Sequence, residues 1–203
     1  MRYLIVCGGK IDKEFGLNEI KTDGIDAIIA ADSGMDFLYE NGVTPDIIVG
    51  DFDSTTTNAL EYFERKGQTE IHRLNPIKDD TDTEYAIRLA ISEGARSIVM
   101  LGATGSRIDH VLGNISLLGI GLESKTDISI IDTNNRIRMS DKPVTIEKSA
   151  QYGRFVSLIA VTDDNEVSLR GFKYPVTDYS FDRFTSLGIS NEIVDDHALI
   201  DIH

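Results

Sequence analysis

The sequence predicts an α/β N-terminal domain built on a mostly parallel sheet, followed by an all-β sandwich domain. Three observations lead there. Up to residue 125, short runs of Ile, Val and Ala alternate with helix-period segments, as βαβ units do. Several of these runs end on glycine or aspartate (Gly8-Gly9, Asp32-Ser33-Gly34, Gly50-Asp51), as strands entering tight turns do. From about Asp127 the helical period stops, and short runs follow one another across the turn signals Thr133-Asn134-Asn135 and Asp163-Asp164-Asn165. The domains are therefore expected at 1–125 and 126–203, with no low-complexity linker between them.

Taken in order, Leu4-Ile5-Val6 is the first strand and residues 27–30 the second, with Asp32 just past its end. Ser33 is placed to cap a helix carrying Phe37 and Leu38, and Gly42 to stop it. After Pro45, Ile47-Ile48-Val49 is the strand that delivers Asp51 and Asp53. Residues 55–66, with Leu60 and Phe63 on one side and Gly67 after them, form the next helix, and 71–74 a short strand. Thr81 and Glu84 fit a capping box that opens a helix with Ala86, Ile87, Ala90 and Ile91 inward. Residues 97–101 are a buried strand. The glycine-rich stretch 102–106 then leads into a helix from about Ile108 that is expected to bury Ile108, Val111, Leu112, Ile115 and Leu118, with Ser106 and Asp109 fitting a second capping box. Beyond it, strands are expected at 128–131, 136–139, 144–147, 155–161 and 167–172.

Composition excludes several partners. A formal net charge of −14 over 203 residues disfavours nucleic acid and anionic membrane surfaces, which would be repelled. Cys7 is the only cysteine, so neither an intrachain disulfide nor a multi-cysteine zinc site can form, and a reducing, cytoplasmic setting is expected. No apolar stretch approaches the length of a membrane span.

The chemistry concentrates in acidic pairs. Asp51 and Asp53 are spaced i, i+2, so in extended backbone both carboxylates aim to one side. Hard oxygen ligands of this kind suit Mg²⁺, which bridges carboxylates to substrate phosphates. A lone Asp-x-Asp also fits a strand end followed by a helix cap; a second acidic cluster, Asp79, Asp80 and Asp82 at one helix start, favours the metal, because a bound cation offsets their repulsion. Lys78 can neutralise part of that charge or reach a phosphate. The 102–106 loop matches neither the P-loop nor the dinucleotide fingerprint, although such loops can present N–H groups to anions. Arg107, His110 and Asn114 share one helix face at i, i+3, i+7. The segment 185–192 is unusually polar for a stretch between strands.

Together the motifs resemble the thiamine pyrophosphokinase family over nearly the whole chain. Pro45-Asp46-Ile47-Ile48-Val49-Gly50-Asp51-Phe52-Asp53-Ser54 is similar to that family's signature, with Ala30-Ala31-Asp32-Ser33-Gly34 before it, and Lys78-Asp79-Asp80-Thr81-Asp82-Thr83-Glu84 and Gly102-Ala103-Thr104-Gly105-Ser106-Arg107-Ile108-Asp109-His110 after it. The resemblance implies Mg²⁺-dependent transfer of a pyrophosphoryl group from ATP to thiamine, releasing AMP, by a homodimer whose sites are shared between subunits. It implies Asp51, Asp53 and Asp79 as metal ligands with Asp82 and Asp32 close by, either of which could assist the thiamine hydroxyl, and Arg107 against phosphate. Lys78, Thr81, Asp109, His110 and Asn114 are expected on the ATP side with Asp32, and Ser190 and Asn191 on the thiamine side. Some relatives carry a tryptophan before that Ser-Asn pair as a stacking platform. This chain has none, and Leu187 stands there, with Phe181, Phe184 and Tyr179 as aromatic substitutes. Two competing readings are an Asp-x-Asp nucleotide-sugar transferase and a non-catalytic thiamine- or nucleotide-sensing module.

Overall fold

Leu4 and Val6 of β1 (Arg2–Val6) are buried on one face of a sheet, and Tyr3, Ile5 and the following Cys7 on the other. A strand that is apolar on both faces belongs in a parallel sheet covered by helices on both sides. The computed structural model, which describes residues 1–52, 58–75, 80–163 and 165–203, has that arrangement. The strands β1, β2 (Ala27–Ala31), β3 (Ile47–Gly50), β4 (Glu70–Arg73), β5 (Ser97–Leu101) and β6 (Asp127–Ile131) run parallel, and β7 (Arg136–Arg138) lies antiparallel at one edge. Their order is β4-β3-β2-β1-β5-β6-β7.

Helices α1 (Lys13–Ile20), α2 (Gly34–Glu40) and α3 (Ala59–Lys66) cover one face, packing Phe15, Met35, Leu38 and Phe63 on Leu4, Val6, Ala30 and Ile48. The other face is covered by α4 (Asp82–Ser92) and α5 (Ile108–Ser124), through Ala86, Ile87, Ala90 and Leu118. Because β4 is an edge strand and β5 lies beyond β1, α4 must cross back over β3, β2 and β1. That crossing carries its first turn over the strand ends. The start of α2 is seated directly on the end of β1: a Cβ on Gly34 would lie 1.9 Å from the Val6 carbonyl oxygen.

The boundary expected at 125/126 is corrected by the structure, which divides the chain into Met1–Met139 and Ser140–His203. The apolar residues of β6 supply both helical cores, with Ile128 and Ile130 on one face and Ile131 on the other, so β6 completes a βαβ unit with β5 and α5. The turn at 133–135 is a hairpin that adds β7, held by the Asp132 carboxylate, which accepts from the Asn134 and Asn135 backbone N–H groups at 2.7 and 2.8 Å.

In residues 140–203, β8 (Val144–Glu147), β9 (Phe155–Val156), β10 (Asn165–Arg170), β11 (Val176–Phe181), β12 (Asn191–Glu192) and β13 (His197–Ile202) form two antiparallel sheets, ordered β11-β10-β13-β8 and β12-β9. They share one apolar cluster, in which Val156 and Ile193 pack with Val167, Leu169, Phe181 and Ile200. The strand expected over 155–161 is limited to Phe155–Val156. Among the described residues, no helix is long and apolar enough to cross a membrane.

Candidate active site

Parallel strands place ligands beyond their C-terminal ends, and there this sheet gathers its acids. Asp32, just past β2, has φ +49, and Phe52, just past Asp51, has φ +64. A left-handed backbone at a residue with a Cβ costs about 1–2 kcal/mol, so two on adjacent strand ends mark a turn region held by its surroundings. The first turn of α4 brings in Asp82. One carboxylate oxygen from each of Asp32, Asp51 and Asp82 lies within 4.8 Å of the others, and all three residues are half-buried. At that separation each pair of charges repels by roughly 3 kcal/mol at an effective dielectric of 20. Three hard oxygen donors converging at this spacing fit a divalent cation such as Mg²⁺ or Mn²⁺.

The reason expected for Asp51 and Asp53 sharing a side does not hold. β3 ends at Gly50 and Phe52 is left-handed, so the backbone there is not extended. Asp53, Lys78 and Asp79 lie outside the described residues. Within the described ones, Asp32 and Asp82, expected as neighbours of the metal, stand beside Asp51 as potential ligands.

Thr81 caps α4, its Oγ1 accepting from Glu84 N–H at 3.2 Å. The other half of the expected capping box is absent, because Glu84 accepts from Arg88 at 2.7 and 2.9 Å instead of reaching back. Ser33 occupies the start of α2 without a cap bond; its hydroxyl lies against Gly8, where a Cβ would be 2.1 Å from Oγ.

At α5, the residue before the helix is Arg107 and no side chain caps it, so the second capping box is also corrected. Asp109 has turned to Arg107, accepting from Nη2 at 2.6 Å and Nε at 3.2 Å, which holds its carboxyl at about 2. Both are exposed, as is His110. Asn114 donates to the Ala103 carbonyl at 2.9 Å and so ties α5 to the glycine-rich loop. Ile108 and Leu112, expected inside, are 73% and 60% exposed. The cause is length: α5 spans about 25 Å against about 17 Å for a five-residue strand, so its first turns outrun the sheet.

Two cavities flank β1, the strand from which the chain order departs in both directions. One, of about 430 Å³, is lined by Cys7, Gly8, Gly9, Ser33, Asp36 and Phe37, and one, of about 350 Å³, by Lys10, Phe15, Thr104, Asp132 and Asn134 among others. Gly9 N–H donates to the Gly102 carbonyl at 2.9 Å, and a Cβ on Gly9 would lie 2.2 Å from that oxygen. The residues around these cavities were not anticipated individually; the signal available was the pair of glycines at the end of the first strand.

In the second unit, Ser190 has φ +61 and its N–H donates to Ser157 Oγ at 3.0 Å. Asn191 is buried, and its amide is committed to backbone: it donates to the Tyr174 carbonyl at 2.8 Å and accepts from Tyr174 and Glu192 N–H at 3.1 and 3.0 Å. It therefore orders this loop. Leu187 and Phe184 are 55% and 91% exposed, whereas Phe181, offered as a stacking substitute, is a core residue at 3%.

The chain matches the family described as thiamin pyrophosphokinase, catalytic domain, over residues 21–131, and thiamin pyrophosphokinase, vitamin B1 binding domain, over residues 143–203. The thiamine pyrophosphokinase of Bacillus subtilis is 36% identical over 168 residues, 82% of this chain and 78% of that protein. A crystal structure of the Bacillus subtilis thiamine pyrophosphokinase superposes with a TM-score of 0.87 at 32% identity, over 100% of this chain and 94% of the other. That of thiamin pyrophosphokinase from Geobacillus thermodenitrificans gives 0.84 at 30% identity, over 100% and 93%.

Cys7 immediately follows β1, with Thr83 Oγ1 3.9 Å from its sulfur, and burial pushes its thiol up to about 12. Since the thiolate is the reactive form, the folded thiol is inert near neutrality. Its folded value lies above the unfolded one, so its contribution to stability is complete below the unfolded value and is lost as pH rises toward about 12. Native protein near pH 8 should react with an aromatic disulfide reagent about a hundredfold more slowly than urea-unfolded protein; equal rates would contradict the buried, neutral thiol.

Proposed function

The chain belongs to the thiamine pyrophosphokinase family, which moves a pyrophosphoryl group from ATP to thiamine, and we propose that here the transfer uses Mg²⁺ held by Asp32, Asp51 and Asp82. Asp53 and Asp79, from the same two motifs, are proposed as further ligands. The observation that carries this is the convergence of three carboxylates within 4.8 Å at the strand ends of a chain with net charge −14. Without a cation, such a surface repels a polyphosphate. Family membership displaces both the nucleotide-sugar transferase and the sensing-module readings.

In the reaction, the hydroxyl oxygen of thiamine forms a bond to the β-phosphorus of ATP, the bond from that phosphorus to the oxygen bridging it to the α-phosphate breaks, and AMP leaves with that oxygen. A bound divalent ion supplies charge neutralisation and Lewis acidity at the phosphate oxygens. The chain's own residues position the reactants. Arg107 exchanges its Asp109 partner for a phosphate, to which its planar guanidinium offers paired donors. A carboxylate of the acidic cluster orients the thiamine hydroxyl and takes its proton. Asn114, by tying α5 to the Ala103 carbonyl, keeps Arg107 and His110 beside the glycine-rich loop on the ATP side.

With ATP, Mg²⁺ and thiamine, the products should be AMP and thiamine diphosphate in equal amounts, and chelation should stop the reaction. Asp51→Asn, nearly isosteric, should lower turnover by about two to three orders of magnitude with the thermal midpoint preserved. ADP as the product, or a variant within a few-fold of the parent, would refute the assignment.

We also propose a homodimer with shared thiamine sites. The support is the resemblance together with apolar side chains left exposed, among them Leu112 on α5 and Leu187 and Ile189 in the second unit. Asp51→Ala and Asn191→Ala, each inactive alone, should recover about a quarter of the sites when subunits exchange at equal concentration. No recovery despite demonstrated exchange would rule the shared site out.

A further inference from the structure

β4 is an edge strand and carries none of the three carboxylates, yet two of its consecutive residues grip the segments that bear Asp82 and Asp51. The pleat sends neighbours to opposite faces. His72, opposite Val49 in register, lies on the α4 side; Arg73, opposite Gly50, lies on the α3 side.

On the first face, His72 Nε2 is 2.6 Å from Glu70 Oε1 and Nδ1 is 3.1 Å from the Tyr85 hydroxyl. With the Glu70 carboxylate as acceptor, Nε2 carries the proton and Nδ1 accepts from Tyr85. Tyr85 follows Asp82 by three residues and shares its side of α4. This bond fixes the helix, and with it the acid in the first turn, to the sheet edge.

On the second face, the Arg73 guanidinium carbon lies 5.5 Å from the centre of the Phe52 ring, and an ion pair with Glu64 of α3 holds it there. Phe52 immediately follows Asp51 in a left-handed conformation that a bulky residue keeps only when its surroundings impose it. Gly50 leaves the room: a Cβ there would lie 3.0 Å from the ring. The stack on Arg73 closes the ring in. Asp32 follows an interior strand, β2, between β1 and β3.

We propose that β4 is a two-sided clamp in which His72, through Tyr85, and Arg73, through Phe52, are positioning residues that set the spacing of Asp82 and Asp51 and thereby the affinity for a divalent cation. This rests on Asp32, Asp51 and Asp82 being the cation site.

The test is binding of Mn²⁺ alone, without nucleotide, followed by the paramagnetic resonance of the free ion. Tyr85→Phe removes one hydroxyl, and Arg73→Met removes the guanidinium while keeping chain length. Each should weaken Mn²⁺ binding about tenfold, as loss of supporting groups behind metal ligands does. Arg73→Lys, which restores a cation over the ring, should recover part of the loss. Arg88→Met breaks the Arg88–Glu84 pair on the same helix and should leave binding unchanged. If Arg73→Met proves unfolded by circular dichroism, Tyr85→Phe decides alone. Binding within twofold of the parent in the folded clamp variants, with Asp51→Asn still abolishing it, overturns the clamp and leaves the cation site standing. If the parent does not bind Mn²⁺, or Asp51→Asn binds it as well as the parent, both fall.

Discussion

Three carboxylates held within 4.8 Å of one another, half-buried, in a chain already carrying fourteen excess negative charges, repel strongly enough to need a reason. The surrounding architecture supplies the force that keeps them together. Buried apolar strands fix where β2 and β3 end, and the packing of Ala86, Ile87 and Ala90 fixes where α4 begins. The repulsion, roughly 3 kcal/mol per pair, is small beside the burial that positions these elements, each large apolar side chain contributing about 1.5–3 kcal/mol. A cation held there, as proposed, would relieve that repulsion and let the cluster meet a polyphosphate in an otherwise acidic protein.

The same logic explains the glycines and the strained residues. Gly34 lets α2 start on the end of β1, and Gly9 lets the chain pass against Gly102. Phe52 in a left-handed turn redirects the chain immediately after Asp51, and the edge strand braces that turn. Local unfavourable conformations are tolerated because tertiary packing around them leaves few alternatives.

Much of this was legible beforehand. The strands β1, β2, β3 and β5 announce themselves as continuous apolar runs, because burial on both faces removes polar alternation. The acidic motifs were visible as a constellation. What was not legible depended on geometry that no local pattern encodes. Asp51 stands in the acidic cluster, but not for the reason its spacing offered, since extended backbone does not continue through Phe52. Helix α1 was missed: it is short, contains Gly16 and has little apolar periodicity, and its one clear signal was Asp12, whose carboxylate caps Phe15 N–H at 2.9 Å. β6 was assigned to the wrong unit because a short apolar run reads alike in a sandwich and a parallel sheet. The backbone role of Asn191 was hidden as well, because its amide bonds to Tyr174, a partner distant in sequence. Polar side chains in loops serve either ligand or backbone, and composition cannot separate the two.

The central claim is that Asp32, Asp51 and Asp82 hold a divalent cation. Anomalous diffraction from crystals grown with Mn²⁺ reads it out most directly. A single anomalous peak within about 2.5 Å of oxygens from these three residues is the expected result; a protein saturated with Mn²⁺ whose only peak lies away from them would contradict it.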